Sequence, residues 1–313
     1  LPAEKAGTIG PPQGQIAFLR DFNVWVMDAD GSDQFMVSEV GNADGRLSWA
    51  PDGKRIAYTR SGLVNLQGPD MLGGKHKVYD IFVAYLDSAY ANNKLWWYRL
   101  TDDLGNRDPE WSADGSTIAF WKDMNANIVN ASIPNYQLCL MDSEGGNVEV
   151  LRKDWQNMKD IFLVKPSMNQ YGYIAFMAFY ENRPQALVVL HRDSLMISGD
   201  SVKALAGRNA NMVSPAWSPD GKWLAYIYSS MDESGLYIAT PDLKENYLVF
   251  APPVSTYITT FTPSFSPDSK WLTVSTTDGS VWIVDITGNG ARRLTGPGID
   301  KTPAWSKTTA MTN

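Results

Sequence analysis

One short pattern recurs six times along this chain of 313 residues, and it limits the available folds more than any other feature. Its clearest copy is the string PAWSPDGKWLAY at 215–226. The other copies lie at 47–58, 109–120, 166–176, 263–274 and 303–306. The copy at 166–176 is one residue short, and the last copy has only its first four residues. Aligned on the central aromatic residue or Met, they follow one another at intervals of 62, 57, 49, 48 and 40 residues. A fixed pattern at variable spacing predicts an array of equal units that carry insertions of different lengths.

Each unit reads as four short strands separated by turns. Pro-Asp-Gly at 219–221 favours a tight turn, since Pro fixes φ and Gly accepts a positive φ. An apolar strand follows at 223–228, and an alternating strand follows at 234–239. A further strand at 247–250 completes a four-stranded antiparallel unit. Such units repeated around an axis are the blades of a β-propeller.

The two ends of the chain complement each other. The last copy stops before its second strand, but residues 14–19 match the second strand of the first copy at 53–58. Residues 23–28 likewise match a third strand at 280–285. The sequence therefore predicts an all-β, six-bladed β-propeller whose last blade combines one C-terminal strand with three N-terminal strands. Such closure removes the exposed edges of an open array.

Composition narrows the classes of function. The chain has 27 Lys+Arg and 34 Asp+Glu, a net charge of −7, which argues against a nucleic-acid partner. No apolar stretch approaches the roughly 20 residues that cross a bilayer, so no membrane insertion is expected. Cys139 stands alone, which excludes an internal disulfide framework, and the two histidines argue against zinc chemistry. We expect no cofactor, with a calcium ion in or near the channel as an alternative.

The repeat resembles the WD40-like (PD40) repeat of TolB-family propellers. The consensus stands nearly intact at 215–226 and 109–120, and further family-like marks are DADGS at 28–32 and Arg-Leu-Thr at 99–101 and 293–295. The resemblance implies a periplasmic or secreted bacterial protein that binds a protein or peptide partner in the envelope, and we expect a monomer. It covers residues 14–306, with an expected N-terminal tether at 1–13 and a C-terminal tail at 307–313.

The chain also departs from that family. TolB carries an α/β domain before its propeller, and related peptidases carry an α/β-hydrolase domain with a Gly-x-Ser-x-Gly motif, which this sequence lacks. Oligogalacturonate lyases with similar propellers use metal-binding histidines, whereas His76 and His191 are scattered here. We therefore expect a bare propeller.

Long predicted loops gather at one rim. They are the connections from second to third strand at 60–77 and 122–136, and the connections between blades at 101–108, 152–163 and 251–262. Only tight turns are expected at the other rim. Long loops in compact domains usually bind something, so we place the site on the loop-bearing face, around the channel and chiefly over the first two blades. Its candidate contacts are Asp70, His76, Asp102, Asp103, Arg107, Asp108, Asp123, Asn125, Asn127, Trp155, Tyr257 and Asp300.

Two functions remain open for this face. The favoured one is a non-enzymatic scaffold that presents the loops to a protein or peptide, with no catalytic residue or metal ligand assigned. The alternative is a glycan-binding or glycan-cleaving protein that uses the loop carboxylates together with Trp155 at the channel mouth. In the simplest interpretation, each candidate carboxylate is a solvated loop charge or a turn cap.

Repeated tryptophans have a structural interpretation. Trp49, Trp111, Trp217 and Trp305 share one position of the repeat, so we expect them to pack between neighbouring blades. Trp96 and Trp97 lie together on a predicted outer strand, where packing between blades is again expected. An exposed contact with a partner or a sugar is the alternative for one of these two.

Overall fold

A computed structural model describes residues 7–39, 41–65, 75–87, 96–126, 135–151, 161–180, 186–191, 203–205, 211–231, 234–259 and 263–308 of the chain. In chain order, the strands of its first half are β1 (Gln15–Arg20), β2 (Asn23–Asp28), β3 (Phe35–Ser38), β4 (Ala43–Trp49), β5 (Arg55–Asn65), β6 (Lys75–Tyr85), β7 (Trp96–Arg99), β8 (Asn106–Trp111), β9 (Thr117–Asp123), β10 (Tyr136–Asp142), β11 (Glu149–Val150) and β12 (Ile161–Met168). Those of its second half are β13 (Tyr173–Tyr180), β14 (Ala186–His191), β15 (Lys203–Leu205), β16 (Asn211–Trp217), β17 (Leu224–Ser229), β18 (Ser234–Ala239), β19 (Asn246–Phe250), β20 (Ser264–Phe265), β21 (Trp271–Ser275), β22 (Val281–Asp285), β23 (Arg292–Arg293) and β24 (Lys301–Trp305).

These strands form six four-stranded antiparallel sheets, the blades of a six-bladed β-propeller. Blades 1 to 5 follow the chain in order as β4–β7, β8–β11, β12–β15, β16–β19 and β20–β23. Blade 6 has the order β24-β1-β2-β3. Ile16 pairs with Trp305 across its seam, and the Ser306 amide donates to the Gln15 carbonyl at 2.8 Å. The predicted closure by both ends of the chain is confirmed.

The Ser-Pro-Asp-Gly turn explains why the repeat is so recognisable. The Ser218 hydroxyl donates to Asp220 Oδ1 at 2.7 Å and accepts the Trp223 amide at 2.9 Å. Gly221 takes a φ of 69° there, in the left-handed region that suits glycine. Each motif residue thus holds one part of the hairpin between the first and second strands of its blade.

The repeated tryptophans lie between blades, as the sequence predicts. Trp49, Trp111 and Trp305 are fully buried, and Trp217 is nearly so. In three blades, a serine directly precedes the central position of the repeat. Its hydroxyl accepts a hydrogen bond from the main-chain amide at the central position of the next blade. The instances are Ser48 with Trp111 at 3.0 Å, Ser167 with Trp217 at 3.0 Å, and Ser264 with Trp305 at 2.9 Å. These bonds satisfy amides on the inner edge of the blades and tie neighbouring blades together.

Two expectations about loops and edges are wrong. Much of 60–77 is a hairpin, because β5 and β6 stay paired from Arg60 with Asp80 as far as Asn65 with Lys75. The β-favouring residues on both arms explain the extension. The expectation of tight turns alone at the other rim stays a prediction, because the connections at 88–95 and 192–202 lie outside the described residues. Trp96 and Trp97 are both exposed, because β7 is an outer strand with a neighbour on one side only.

Candidate functional site

Asp80 organises the connection from blade 1 to blade 2 on the loop-bearing face. This buried carboxylate on β6 accepts hydrogen bonds from the Thr101 hydroxyl, the Leu104 amide and the Asn106 side-chain amide at 3.1 to 3.3 Å. Its second oxygen accepts Arg99 Nη2 at 2.6 Å. Asp80 was not among the predicted candidates, although a carboxylate in the middle of the long strand β6 was a signal. It fixes the segment 101–108, which carries four of them.

Asp103 and Asp123 hold the neighbouring loop of blade 2. Asp103 accepts hydrogen bonds from Lys122 Nζ and Asn106 Nδ2. Burial opposes ionisation of Asp103, but these donors outweigh it and lower the pKa of that carboxyl. Asp123 Oδ1 accepts the Asn125 amide at 2.9 Å and the Asn135 amide at 2.8 Å, which closes the loop from β9 to β10. Asp103 is therefore engaged by the side chains of Lys122 and Asn106, and Asp123 by the main chain of the loop.

Arg107 lies in an aromatic stack. Its guanidinium carbon is 4.0 Å from the ring centroid of Tyr79 and 5.1 Å from that of Trp121. Trp121 in turn packs edge-on against Tyr136 with centroids 4.4 Å apart. Asp44 lies beside the same cation, with an oxygen 3.9 Å from Arg107 Nη2. The stack joins the extended hairpin of blade 1 to blade 2.

Asp108 is buried and bridges two blades. It accepts the Arg46 amide and the Trp121 indole N–H, both at 2.7 Å, and its own amide donates to Thr59 Oγ1 at 3.0 Å. A Cβ on Gly45 would stand 2.4 Å from Asp108 Oδ1, so the close approach requires glycine there. These contacts make Asp108 a structural residue.

The remaining candidates do not converge on one point. Asp300 is buried against Arg20, with both oxygens 2.7 Å from guanidinium nitrogens between blades 5 and 6. Tyr257 is exposed and lines a pocket of about 310 Å³ over blade 4, and Asp102 is exposed. His76 belongs to the extended hairpin, on β6. Asp70, Asn127 and Trp155 lie outside the described residues.

The axial channel holds a buried charge cluster that the sequence interpretation missed. Glu110 Oε2 lies 3.0 Å from Arg46 Nη2 and accepts the Ser48 hydroxyl at 2.9 Å. Its other oxygen lies 3.2 Å from Lys307 Nζ, and Arg46 also donates to the Pro166 carbonyl. Glu110 occupies the inner-strand position where the other copies of the repeat carry Ser or Ala, and that departure was the available signal.

The charge of Glu110 predicts a pH dependence of stability. Burial opposes ionisation, but Arg46 and Lys307 outweigh it, so the pKa of Glu110 lies below its ordinary value of 4.5. A carboxyl group whose pKa is lowered by folding stabilises the fold at pH values above its ordinary pKa. That stabilisation is lost as the pH falls towards the pKa of the group in the folded state. Between pH 4.5 and pH 3, the free energy of unfolding measured in urea should fall more steeply for the natural protein than for Glu110→Gln. Parallel pH profiles would contradict this account.

Exposed apolar side chains surround the loop-bearing face. Among the described residues, the large apolar side chains exposed there are Phe22, Leu63, Met124, Met231, Val254, Tyr257 and Ile299. We call this set the apolar ring. Met231 and Val254 are 94 % and 96 % exposed. Only Val148 and Tyr171 of that class lie on turns of the opposite rim in the described part of the chain. The face therefore offers apolar anchors around most of its circumference.

Phe22 stands at the tip of the β1–β2 hairpin in an unfavourable conformation. Asp21 and Phe22 have φ values of 50° and 57°, in the left-handed region that bulky residues avoid. The ring is 52 % exposed beside a pocket of about 290 Å³ between blades 5 and 6, and Lys301 Nζ lies 4.6 Å from its centroid. Strain held at an exposed apolar residue is typical of functional sites.

This strain can be measured with two variants that both remove the ring. Phe22→Gly should be more stable than Phe22→Ala by about 1 kcal/mol, because only glycine adopts the left-handed conformation without steric cost. Urea unfolding of the two variants gives the difference directly. Equal stabilities would mean that the turn relaxes and that no strain is stored at residue 22.

The described residues contain no group of three or more His, Cys, Asp or Glu side chains that could hold a metal ion. No helix in this described part has the length and apolar character needed to cross a membrane.

Comparison with known proteins gives two relatives by sequence, and no known family model matches the chain. An uncharacterized protein of Agrobacterium fabrum, Atu1656, is 28 % identical over 188 residues, which are 57 % of this chain and 53 % of that protein. An uncharacterized peptidase of Bacillus subtilis, YuxL, is 24 % identical over 204 residues, 57 % of this chain and 28 % of the peptidase. The chain thus spans about half of the first relative and little more than a quarter of the second.

Solved structures match over nearly the whole chain. TolB from Acinetobacter baumannii superposes with a TM-score of 0.67 at 19 % identity, over 97 % of this chain and 69 % of that one. A chain of a nidogen/laminin complex superposes with a TM-score of 0.64 at 10 % identity, over 93 % of this chain and 97 % of that one. At such identities the likeness concerns the fold. The chain has the fold of the TolB-type six-bladed β-propeller.

Proposed function

We propose that this propeller is a non-enzymatic scaffold whose loop-bearing face binds a protein or peptide partner. The observation that carries the proposal is the apolar ring, which places exposed anchors on one rim. Exposed apolar side chains that gather on one face of a protein, more than on the opposite face, suit an interaction site there. The side chains of the apolar ring are distributed around the rim, which suits a partner that covers the whole face and the mouth of the channel.

The state of the carboxylates supports binding over chemistry. Asp80, Asp103, Asp108, Asp123 and Asp300 each accept hydrogen bonds or ion pairs from the protein itself. Groups engaged in this way hold loops in place. A rim fixed before binding loses less conformational entropy when a partner arrives, which favours recognition by shape.

Resemblance supports the finer parts of the proposal. The repeats are proposed to belong to the PD40 type, with the protein periplasmic or secreted in the bacterial envelope, because the fold is that of TolB. The chain of the nidogen/laminin complex provides a propeller of the same fold within a protein assembly. Fractionation of source cells with an antibody against the chain tests the location, and a purely cytosolic signal contradicts it.

Site-specific photo-crosslinking tests the binding face. A benzophenone amino acid is placed at Met231 or Val254 on the loop-bearing face, and at Val148 or Tyr171 on the opposite rim as matched exposed controls. We expect the first pair to crosslink one defined protein in source-cell extract and the second pair to crosslink it weakly or not at all. Equal crosslinking from both rims would overturn the assignment of the face.

The captured partner is then purified and titrated against the chain. Combined replacement of Met231, Val254 and Ile299 by serine should weaken binding at least tenfold, while Tyr171→Ser should leave it unchanged. An oligosaccharide panel is run in parallel. Turnover of a glycan that is lost in Asp103→Ala or Asp123→Ala would replace the scaffold by a glycan-cleaving enzyme.

A further inference from the structure

The outer edge of blade 1 differs from the other outer edges described. The outer strands β11, β15 and β23 have only two or three residues, so they offer little to a neighbour. The outer strands β3 and β19 have four and five residues, but Leu248 is the one large apolar side chain exposed on them. In β7, by contrast, Trp96 is 69 % exposed and Trp97 is 40 % exposed. Two adjacent exposed tryptophans on an edge strand are costly in water unless something covers them.

The register of β7 shows which backbone groups face outward. Leu100 N donates to the Ile81 carbonyl at 2.8 Å, so these two residues form a hydrogen-bonded pair. In an antiparallel ladder, hydrogen-bonded pairs alternate with non-hydrogen-bonded pairs. The next hydrogen-bonded pairs are therefore Val83 with Tyr98 and Tyr85 with Trp96. The main-chain N–H and C=O groups of Trp97 and Arg99 therefore point away from β6. They can accept a further strand.

The two faces of this edge carry different chemistry. On one face, Trp96 lies beside Tyr85 with ring centroids 6.5 Å apart, next to Tyr98. On the other, the Arg60 guanidinium lies between the rings of Trp97 and Phe82, 4.5 and 4.6 Å from their centroids. Arg60 Nε donates to Asn42 Oδ1 at 2.9 Å, and Arg60 forms no ion pair with any described residue. One face is aromatic, and the other adds the cation of Arg60, which makes no ion pair within the described part of the chain.

We propose that the outer edge of β7 binds an extended segment of a partner protein as a fifth strand of blade 1. Main-chain hydrogen bonds to Trp97 and Arg99 supply the pairing, as in other cases of strand addition. Side chains of the segment alternate between the faces, so apolar residues pack on Trp96 and an acidic residue approaches Arg60. The occupant is thus an acidic, alternating segment.

A second copy of the chain fits this edge less well. Pairing of two β7 strands would bring Arg60 and Arg99 of one copy towards the same cations of the other, and like charges across a pairing are destabilising. This site is also separate from the apolar ring, which lies on the loop-bearing face. Variants of one surface therefore leave the other intact.

The probe is a displayed library of random ten-residue peptides selected on the full chain. We expect enriched peptides with alternating apolar residues and at least one Asp or Glu. Their affinity should fall at least tenfold in Trp96→Ala, in Trp97→Ala and in Arg60→Gln, and stay unchanged in Leu248→Ala on the outer strand β19. Thermal unfolding of each variant verifies that the propeller remains folded, and Trp96→Ala, with its exposed side chain, is the variant least able to disturb it.

Methylation of the peptide backbone gives a second, independent test. A methyl group on a peptide amide that pairs with β7 removes a hydrogen bond to β7 and blocks the approach of the two strands. A methyl group on an amide that faces away from β7 leaves the pairing intact. Binding should therefore be lost with a period of two residues along the peptide. A scan without that period, or selected peptides indifferent to the Trp96 and Trp97 variants, overturns the proposal. A dimer of the natural chain that Trp97→Ala dissociates would overturn it in favour of self-association.

Discussion

Replacing Glu110 with alanine should lower the free energy of unfolding by about 3–5 kcal/mol. The variant leaves Arg46 buried in the channel without its carboxylate, and leaves the Ser48 hydroxyl without its acceptor. A buried charge that has lost its partner retains its full desolvation cost. Urea unfolding followed by circular dichroism measures the loss.

Two further variants distinguish the buried cluster from an ordinary ion pair. Asp87→Ala breaks the pair with Lys54, in which both side chains are more than half exposed, and should cost less than about 1 kcal/mol. The double variant Arg46→Met with Glu110→Leu replaces charge by apolar volume and should recover much of the loss. If Glu110→Ala costs no more than Asp87→Ala, the channel cluster contributes nothing to stability.

The second large effect is expected at Gly279→Ala, with a loss of about 2–4 kcal/mol. Gly279 has a φ of 74°, and a Cβ there would stand 1.9 Å from the Gly298 carbonyl oxygen. That oxygen belongs to the main chain and cannot rotate away. The contact joins the β21–β22 turn to the segment that carries Ile299, so the substitution should also displace one member of the apolar ring.

Two other glycines separate the causes of that loss. Gly41 has a φ of 65° with nothing within 4 Å of a Cβ, so Gly41→Ala measures the conformational cost alone, about 1–2 kcal/mol. Gly296 is equally unobstructed and has no positive φ, so Gly296→Ala should be neutral or slightly stabilising. Thermal unfolding that ranks the three variants as equal would rule out the clash at Gly298.

The repeat predicted the fold because each of its residues has a fixed local task. The turn residues Ser218 and Asp220 bond to each other, and the aromatic position is buried in blade after blade. The closure was also readable, since residues 14–19 keep the pattern of a second strand that the sixth copy lacks. Periodic local constraints of this kind are visible in one sequence.

The candidate site was predicted less well, because its chemistry depends on contacts between distant residues. Asp103, Asp108 and Asp123 look alike in sequence, yet each is engaged by a different part of the protein. The side chain that Arg46 meets in the channel lies 64 positions away in the chain, beyond the range of any local pattern. The assignment of the site to the loop-bearing face stays a prediction, whereas the roles of its carboxylates required the folded arrangement.

The seam in blade 6 sets a condition on how this protein is made. β1 leaves the ribosome well before its partner β24, because almost the whole propeller lies between the two strands in the chain. At typical elongation rates of about 5–20 residues per second the wait is roughly 15–60 s. During that time the nascent chain carries an apolar strand with an unpaired edge, so a chaperone that shields β1 would govern the yield of folded protein more than the stability of any finished blade.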